Sequence, residues 1–265
     1  MGPSPRLEGT RVEAVPPAVP QDSFRKATVG GLSSAADMTP AALDPRARRS
    51  VTEAAERYLL LADISGYTGY LADVEKTHGV DFSAGVPAGY EIIAALLDAV
   101  VRGVQPELEV AKLEGDAVFA IAPAVSLDGR GEELLARLHA TFDVFAAVQH
   151  QATKASDHIC LACPMAGTLR LKMLLHRGFA VRVTGGSHEE LHGPAVNIVH
   201  RMLKNNVEER VGARPYLFLT DQAADGLNIG TVGIEHREGY PDVGAISGRI
   251  VDFTAEAASG SEAKG

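Results

Sequence analysis

Two aspartates occupy positions from which carboxylates can do metal chemistry. Asp63 closes the apolar run Tyr58-Leu-Leu-Leu-Ala-Asp-Ile64, which reads as a short buried strand ended by Ser65-Gly66. Asp116 lies in Glu114-Gly115-Asp116, between the runs 108–113 and 117–122, which read as a β-hairpin. Carboxylates in the turns of adjacent central strands could converge on one hard cation, and Mg²⁺ reaches phosphate substrates held by one or two such groups. Taken singly, Asp63 also reads as the cap of a following helix and Asp116 as a turn residue.

Asn197 and Arg201 are four apart and share one face of the helix expected over 194–207, which opens with Pro194 where a missing N–H costs nothing. Beside Lys204, Arg201 also reads as part of a solvated basic face, and Asn197 as a surface amide. Lys112 also reads as an ordinary strand lysine. A separate constellation, His158-Ile-Cys160-Leu-Ala-Cys163, supplies three soft ligands, one short of a closed zinc site. Two reduced thiols or a reversible disulfide are the other readings. His188 and His192 flank Glu189 and Glu190 without regular ligand spacing, and read as loop residues.

The elements that must position these residues alternate along the chain. A helix is expected over 90–101, ended by Pro106, and a long amphipathic helix over 132–154. Strands are expected over 169–175 and 179–184, turning at His176-Arg177-Gly178, and later over 216–219, 232–236 and 249–253. Strand–helix–strand–strand–helix–strand is the order of a ferredoxin-like α+β sandwich. Seven of the 14 prolines fall in the first fifty residues, so 1–54 is expected to be a disordered leader. One domain over 55–254 follows, then a disordered tail over 255–265.

Composition narrows the function classes. Among 265 residues, 34 acidic against 25 basic side chains give a net charge of −9, the wrong sign for a general nucleic-acid binder. Two cysteines three apart are too few and too close to staple a secreted domain. No apolar run reaches the roughly 18 residues of a membrane span. Prolines at 3, 5, 16, 17 and 20 break up any signal-peptide core. The expectation is a cytoplasmic protein without membrane or nucleic-acid partners.

The segments Ala62-Asp-Ile-Ser-Gly-Tyr-Thr68 and Lys112-Leu-Glu-Gly-Asp116 resemble the two metal-binding motifs of class III nucleotidyl cyclases. Gly193-Pro-Ala-Val-Asn-Ile-Val-His-Arg201 resembles that family's dimer-facing helix, which carries an Asn and, four residues later, an Arg. His176-Arg-Gly178 falls where the family has a His-x-Gly turn. The resemblance spans about residues 56–254. It implies that Asp63 and Asp116, with Ile64 among the metal-binding positions, hold two Mg²⁺ or Mn²⁺ ions. Lys112 would read adenine, and Glu190 stands at the second base-selecting position, where the family has Asp or Thr. Asn197 would orient the ribose, and Arg201 would stabilise charge on the transferring phosphorus, as guanidinium groups do in phosphoryl transfer. The implied activity is that of a phosphorus–oxygen lyase, converting ATP to cyclic AMP and pyrophosphate at sites shared across a homodimer.

The chain also departs from the pattern. The family's late phosphate-binding lysine has no match, since Ser247-Gly248 occupies the region with Arg249 adjacent. His200 stands where active cyclases have a small residue. The string 200–205, with the cysteine segment, is similar to a branch of uncharacterised bacterial cyclase-like proteins, in which a third Cys lies near the place of His158. These departures keep two alternatives open: a catalytically degenerate nucleotide-binding or interaction module, and a cyclase acting on another nucleoside triphosphate.

Overall fold

Strand β1, Val51–Ser65, is the strand around which the sheet is built. Its segment Tyr58-Leu59-Leu60-Leu61 is completely buried, so both faces of the sheet are covered at this strand. The computed structural model describes residues 51–79, 81–83, 85–154, 163–185 and 188–254. After β1 come α1 (Tyr67–His78), α2 (Ala88–Val104), β2 (Glu109–Glu114), β3 (Ala117–Pro123), α3 (Ala124–Leu127) and α4 (Gly131–Lys154). A short 3₁₀ turn, Cys163–Thr168, leads to β4 (Arg170–Gly185), β5 (His188–His192), α5 (Pro194–Arg201) and α6 (Val207–Val211). The last elements are β6 (Tyr216–Thr220), α7 (Asp221–Leu227), β7 (Ile234–Tyr240) and β8 (Gly244–Asp252).

The strands form one sheet in the order β2-β3-β1-β4-β6-β8-β7, with β5 paired to β4. β3 lies between β2 and β1, antiparallel to both, and β1 is antiparallel to β4. That is the ferredoxin-like core expected from the element order, extended at one edge by β6, β8 and β7.

Alternation along β1 assigns its side chains to two cores. Tyr58, Leu60 and Ala62 face α2 and α4, where Leu96, Val100, Leu134, Leu138 and Phe145 are buried. The apolar positions Leu134, Leu138 and Phe145 recur at helical spacing, which makes α4 amphipathic and turns that stripe to the sheet. α2 and α4 cross closely at Gly103, where a Cβ would stand 2.5 Å from the Thr141 side chain. On the other face, Leu59 and Leu61 meet Phe119, Leu174 and Phe218 beneath Ala195 and Val199 of α5. Asp63 continues that second series, on the α5 side of the sheet.

Four expectations need correction. β1 begins at Val51, inside the stretch expected as a leader, because Val51–Arg57 pair with β4. His188 and His192, expected in a loop, are the ends of strand β5, which pairs with the end of β4. His176-Arg177-Gly178 is no turn; it lies inside the continuous sixteen-residue strand β4. The long partner decides this, because β1 pairs with β4 in one register from Ser65↔Arg170 to Glu53↔Arg182, with an irregularity only between Glu53 and Val51. Arg177 is anchored there by Asp128 (3.0 Å) and Glu56 (2.7 Å), and Asp128 also accepts from the Tyr58 hydroxyl (2.7 Å). Gly178 serves a close approach: a Cβ on it would lie 3.0 Å from that of Ala195 in α5. The helix expected over 194–207 ends at Arg201. Asn205 terminates it, donating to the Met202 carbonyl (2.6 Å) and accepting from the Val207 amide (3.0 Å). Short polar side chains that bond nearby backbone compete with helix continuation.

Candidate functional site

The two sequence-predicted carboxylates are brought together at the ends of adjacent central strands. Asp63 stands opposite Ala117 of β3 and Lys172 of β4. The Ile64 amide donates to the Asp116 carbonyl (3.1 Å), pinning the hairpin turn against the end of β1. The turn itself needs Gly115, whose φ is +67°. Burial pushes the Asp116 carboxyl above its ordinary range, and the negative charge of Asp63 pushes it further, while Lys172 pulls it back. The carboxylates are thus close enough to repel.

Lys172 answers that repulsion. Its ammonium lies 2.9 Å from Asp63 Oδ2, with both side chains about 85% buried (14% and 15% exposed). It also points toward the Leu203 carbonyl, 3.4 Å away. Lys172 is a residue of this candidate site that sequence reading missed. A signal was present: a lysine in the strand run Leu171-Lys172-Met173-Leu174, where every neighbour is buried.

The donor set suits a hard divalent ion. Among the described residues there is no group of three or more His, Cys, Asp and Glu side chains that could cage a metal. Mg²⁺ needs no such cage, since one or two carboxylates with substrate phosphates suffice. Asp63 and Asp116 would hold it; the Ile64 side chain is fully buried, so only its backbone could contribute. His158 and Cys160 lie outside the described residues, as does the side chain of Cys163, which begins the 3₁₀ turn.

Lys112 and Glu190, 78 positions apart in sequence, meet at 2.9 Å between β2 and β5. Lys112 also pairs with Glu114 (3.0 Å) and lies 5.9 Å over the Phe119 ring. Its hydrogen bond to Glu190 is the main cause raising the Lys112 pKa, and the same bond lowers that of Glu190. The pair borders a groove with an apolar floor, Phe119, Ile121 and Leu191, and with Arg182 on its rim. Arg182 is bonded to Glu189 (2.7 Å).

Asn197 and Arg201 share α5 but stand apart from these groups. Ala195 and Val199 bury one side of the helix, leaving Asn197 and Arg201 exposed on the other. Arg201 pairs with Asp242 (2.5 Å) in the turn between β7 and β8, both about half exposed. His200 turns inward to Glu114 (2.9 Å). One chain therefore assembles the carboxylate pair and the Lys112–Glu190 pair on one face of the sheet, and presents Asn197 and Arg201 outward. Among the described residues no helix is long and apolar enough to cross a membrane.

Comparison with known proteins agrees with this architecture. Residues 93–211 match the model of a family described as a protein of unknown function (DUF2652). The chain is 32% identical over 140 residues to the uncharacterized protein Rv2561/Rv2562 of Mycobacterium tuberculosis, covering 51% of this chain and 60% of that protein. Among solved structures, the adenylyl cyclase CyaB from P. aeruginosa superposes with a TM-score of 0.52 at 14% identity, over 76% of this chain and 95% of that one. The guanylyl cyclase Cya2 gives 0.52 at 13% identity, over 75% and 93%. A bacterial light-regulated adenylyl cyclase gives 0.50 at 17% identity, over 76% of this chain but only 52% of that one. The chain thus spans less than two thirds of the M. tuberculosis relative and about half of the light-regulated enzyme. The fold is that of a class III cyclase homology domain.

Proposed function

We propose that this cyclase homology domain binds a nucleoside triphosphate with Mg²⁺ or Mn²⁺ and, as a homodimer, converts ATP to cyclic AMP and pyrophosphate. The observation that carries the reading is the juxtaposition of Asp63 and Asp116 on the sheet face that also holds the Lys112–Glu190 pair. In this reaction the ribose 3′-oxygen bonds to the α-phosphorus, the bond from that phosphorus to the β-phosphate oxygen breaks, and the hydroxyl proton leaves to solvent. A bound divalent ion supplies electrostatic stabilisation of the polyphosphate and makes the 3′-hydroxyl more acidic.

The chain's own residues divide the remaining work. Asp63 and Asp116 provide the negative pole that draws the cation. Lys172, paired to Asp63, keeps that pole from becoming an uncompensated buried charge before substrate arrives. Lys112 offers a donor and Glu190 an acceptor side by side, which matches the adjacent N1 and 6-amino groups of adenine. The same pair also matches O6 and N1–H of guanine, so another triphosphate is the nearest variant of this reading. The outward placement of Asn197 and Arg201 supports a second copy as partner, with each site drawing its carboxylates from one subunit and its Asn and Arg from the other.

A second reading is a nucleotide-binding module without turnover. Two specific contacts favour it: Asp63 is already neutralised by Lys172, and Arg201 by Asp242. Incubating the purified protein with Mn²⁺ and each of the four ribonucleoside triphosphates, with mass detection of products, separates them. Cyclic AMP formation is expected. Nucleotide binding without any cyclic product would establish the module, and neither binding nor product would end both readings.

A further inference from the structure

We propose that His200 is a positioning residue of the nucleotide site, an imidazolium clamp that ties α5 to β2 and, through Glu114, aims Lys112. The proposal rests on the nucleotide-site reading of Lys112 and Glu190, and its starting point is an inventory of partners. His200 Nδ1 lies 2.8 Å from the Val196 carbonyl oxygen, one helical turn back in α5. Its Nε2 lies 2.9 Å and 3.2 Å from the two carboxylate oxygens of Glu114 in β2. A carbonyl and a carboxylate both accept only, so both ring nitrogens must donate, and the ring carries a positive charge. A neutral imidazole, having one N–H, could satisfy only one of these contacts. The ring face is also held, tilted against Phe119 with centroids 5.3 Å apart.

Glu114 is then shared between two cations, His200 and Lys112, the latter at 3.0 Å. Lys112 in turn is shared between two carboxylates, Glu114 and Glu190. The result is an alternating chain of charge, His200–Glu114–Lys112–Glu190, that runs from α5 across β2 to β5. Single exposed ion pairs hold little, but a chain whose two inner members, Glu114 and Lys112, are each held from both sides fixes orientation as well as distance. His200 sits on α5 between Asn197 and Arg201. The helix carrying those two residues is therefore braced against the strand carrying the base-reading lysine, and losing the clamp frees both.

Two measurements on the full chain test this. The first is ¹⁵N NMR of the His200 ring in wild-type protein near neutral pH. Both nitrogens should be protonated; a ring with one bare nitrogen overturns the clamp. The second is binding of a fluorescent ATP analogue with Mn²⁺ to wild type, His200→Ala, Lys112→Ala and the double variant, with circular-dichroism melts to confirm folding. His200→Ala should weaken binding about three- to fivefold, the worth of one partly exposed charged contact. In the Lys112→Ala background it should change binding little, because the clamp acts through that lysine. An equal loss in both backgrounds overturns the positioning role. Failure of wild type to bind nucleotide would end the functional reading and with it the positioning role, whereas a doubly protonated His200 would still establish the clamp.

Discussion

The ammonium of Lys172 stands 2.9 Å from the carboxylate of Asp63, a contact between directly paired residues of β4 and β1. It makes a lysine the resident counter-ion of the carboxylate pair. A divalent ion that takes Asp63 must displace it.

Removing Lys172 should therefore have opposite effects on the apo and metal-bound protein. Lys172→Met leaves a mostly buried Asp63 charge unpaired beside Asp116, which should cost about 2–3 kcal/mol of stability without metal. Mn²⁺ should restore more of the variant's stability than it adds to wild type, because the cation meets no competing ammonium. Denaturant melts with and without Mn²⁺ measure both quantities. Equal apo stability of the two proteins would show that the contact is not a counter-ion.

His176 sets an acid limit on stability. Burial holds its pKa down at about 4, against an ordinary 6.5, and its Nδ1 lies 3.0 Å from the Thr220 hydroxyl. As pH falls from 6.5 toward 4 the unfolded chain takes up this proton and the folded chain does not, so stability declines across that window by about 3 kcal/mol and no further below it. Asp116, with a raised pKa, acts in the opposite sense, its stabilising contribution fading as pH rises. Comparing wild type with His176→Asn in urea at pH values from 4 to 7 isolates the histidine. The variant should lose the decline; parallel curves would refute the assignment.

Base choice is tested at Lys112. Lys112→Glu replaces a donor by an acceptor and places three carboxylates, Glu114, Glu190 and the new one, side by side. Binding should weaken for every triphosphate, and more for ATP than for GTP, whose N1–H and 2-amino groups donate to carboxylates. Lys112→Met serves as the uncharged control. Equal losses across the four bases would make Lys112 a phosphate contact or a structural lysine.

Shared sites predict a complementation pattern. Asp63→Ala and Arg201→Ala proteins should each be inactive as homodimers; Asp63→Asn, retaining the fold, should lose on the order of 100-fold or more. In a mixed dimer one site inherits both lesions and the other neither. With free exchange, mixed dimers make up half the population, each with one intact site, so roughly a quarter of wild-type activity should return. Analytical ultracentrifugation establishes dimerisation and exchange. If both occur and no activity returns although wild type is active, sites are not shared.

Local signals were enough for the strand ends that carry the aspartates. The run Tyr58–Ile64 is apolar, and Ser65-Gly66 and Gly115 break the chain where it must turn, so Asp63 and Asp116 could be placed at strand ends before any fold was known. The order of the core elements was legible too, because the strands at 58–64, 108–113 and 117–122 and the helices at 90–101 and 132–154 declared themselves by their period, whereas α1, α7 and β5 did not. Pairings between distant segments were not legible. Nothing near Lys112 names Glu190, 78 residues away, and nothing near Asp63 names Lys172; the β1–β4 register decides the second contact, and the approach of β5 to β2 in the completed fold decides the first. His176-Arg177-Gly178 has turn composition, yet the fifteen-residue β1 offers backbone partners to β4 from Arg170 to Val183 and keeps it extended. Asn205 ends α5 through bonds made partly to Tyr216, a residue of β6 (3.0 Å). Propensity and period act over a few neighbouring residues, and so the sequence by itself determined the main core elements and the residue types at the strand ends that carry the aspartates. Which charges meet depends on contacts whose partners are brought near only by the completed sheet, and those the tertiary structure alone decided.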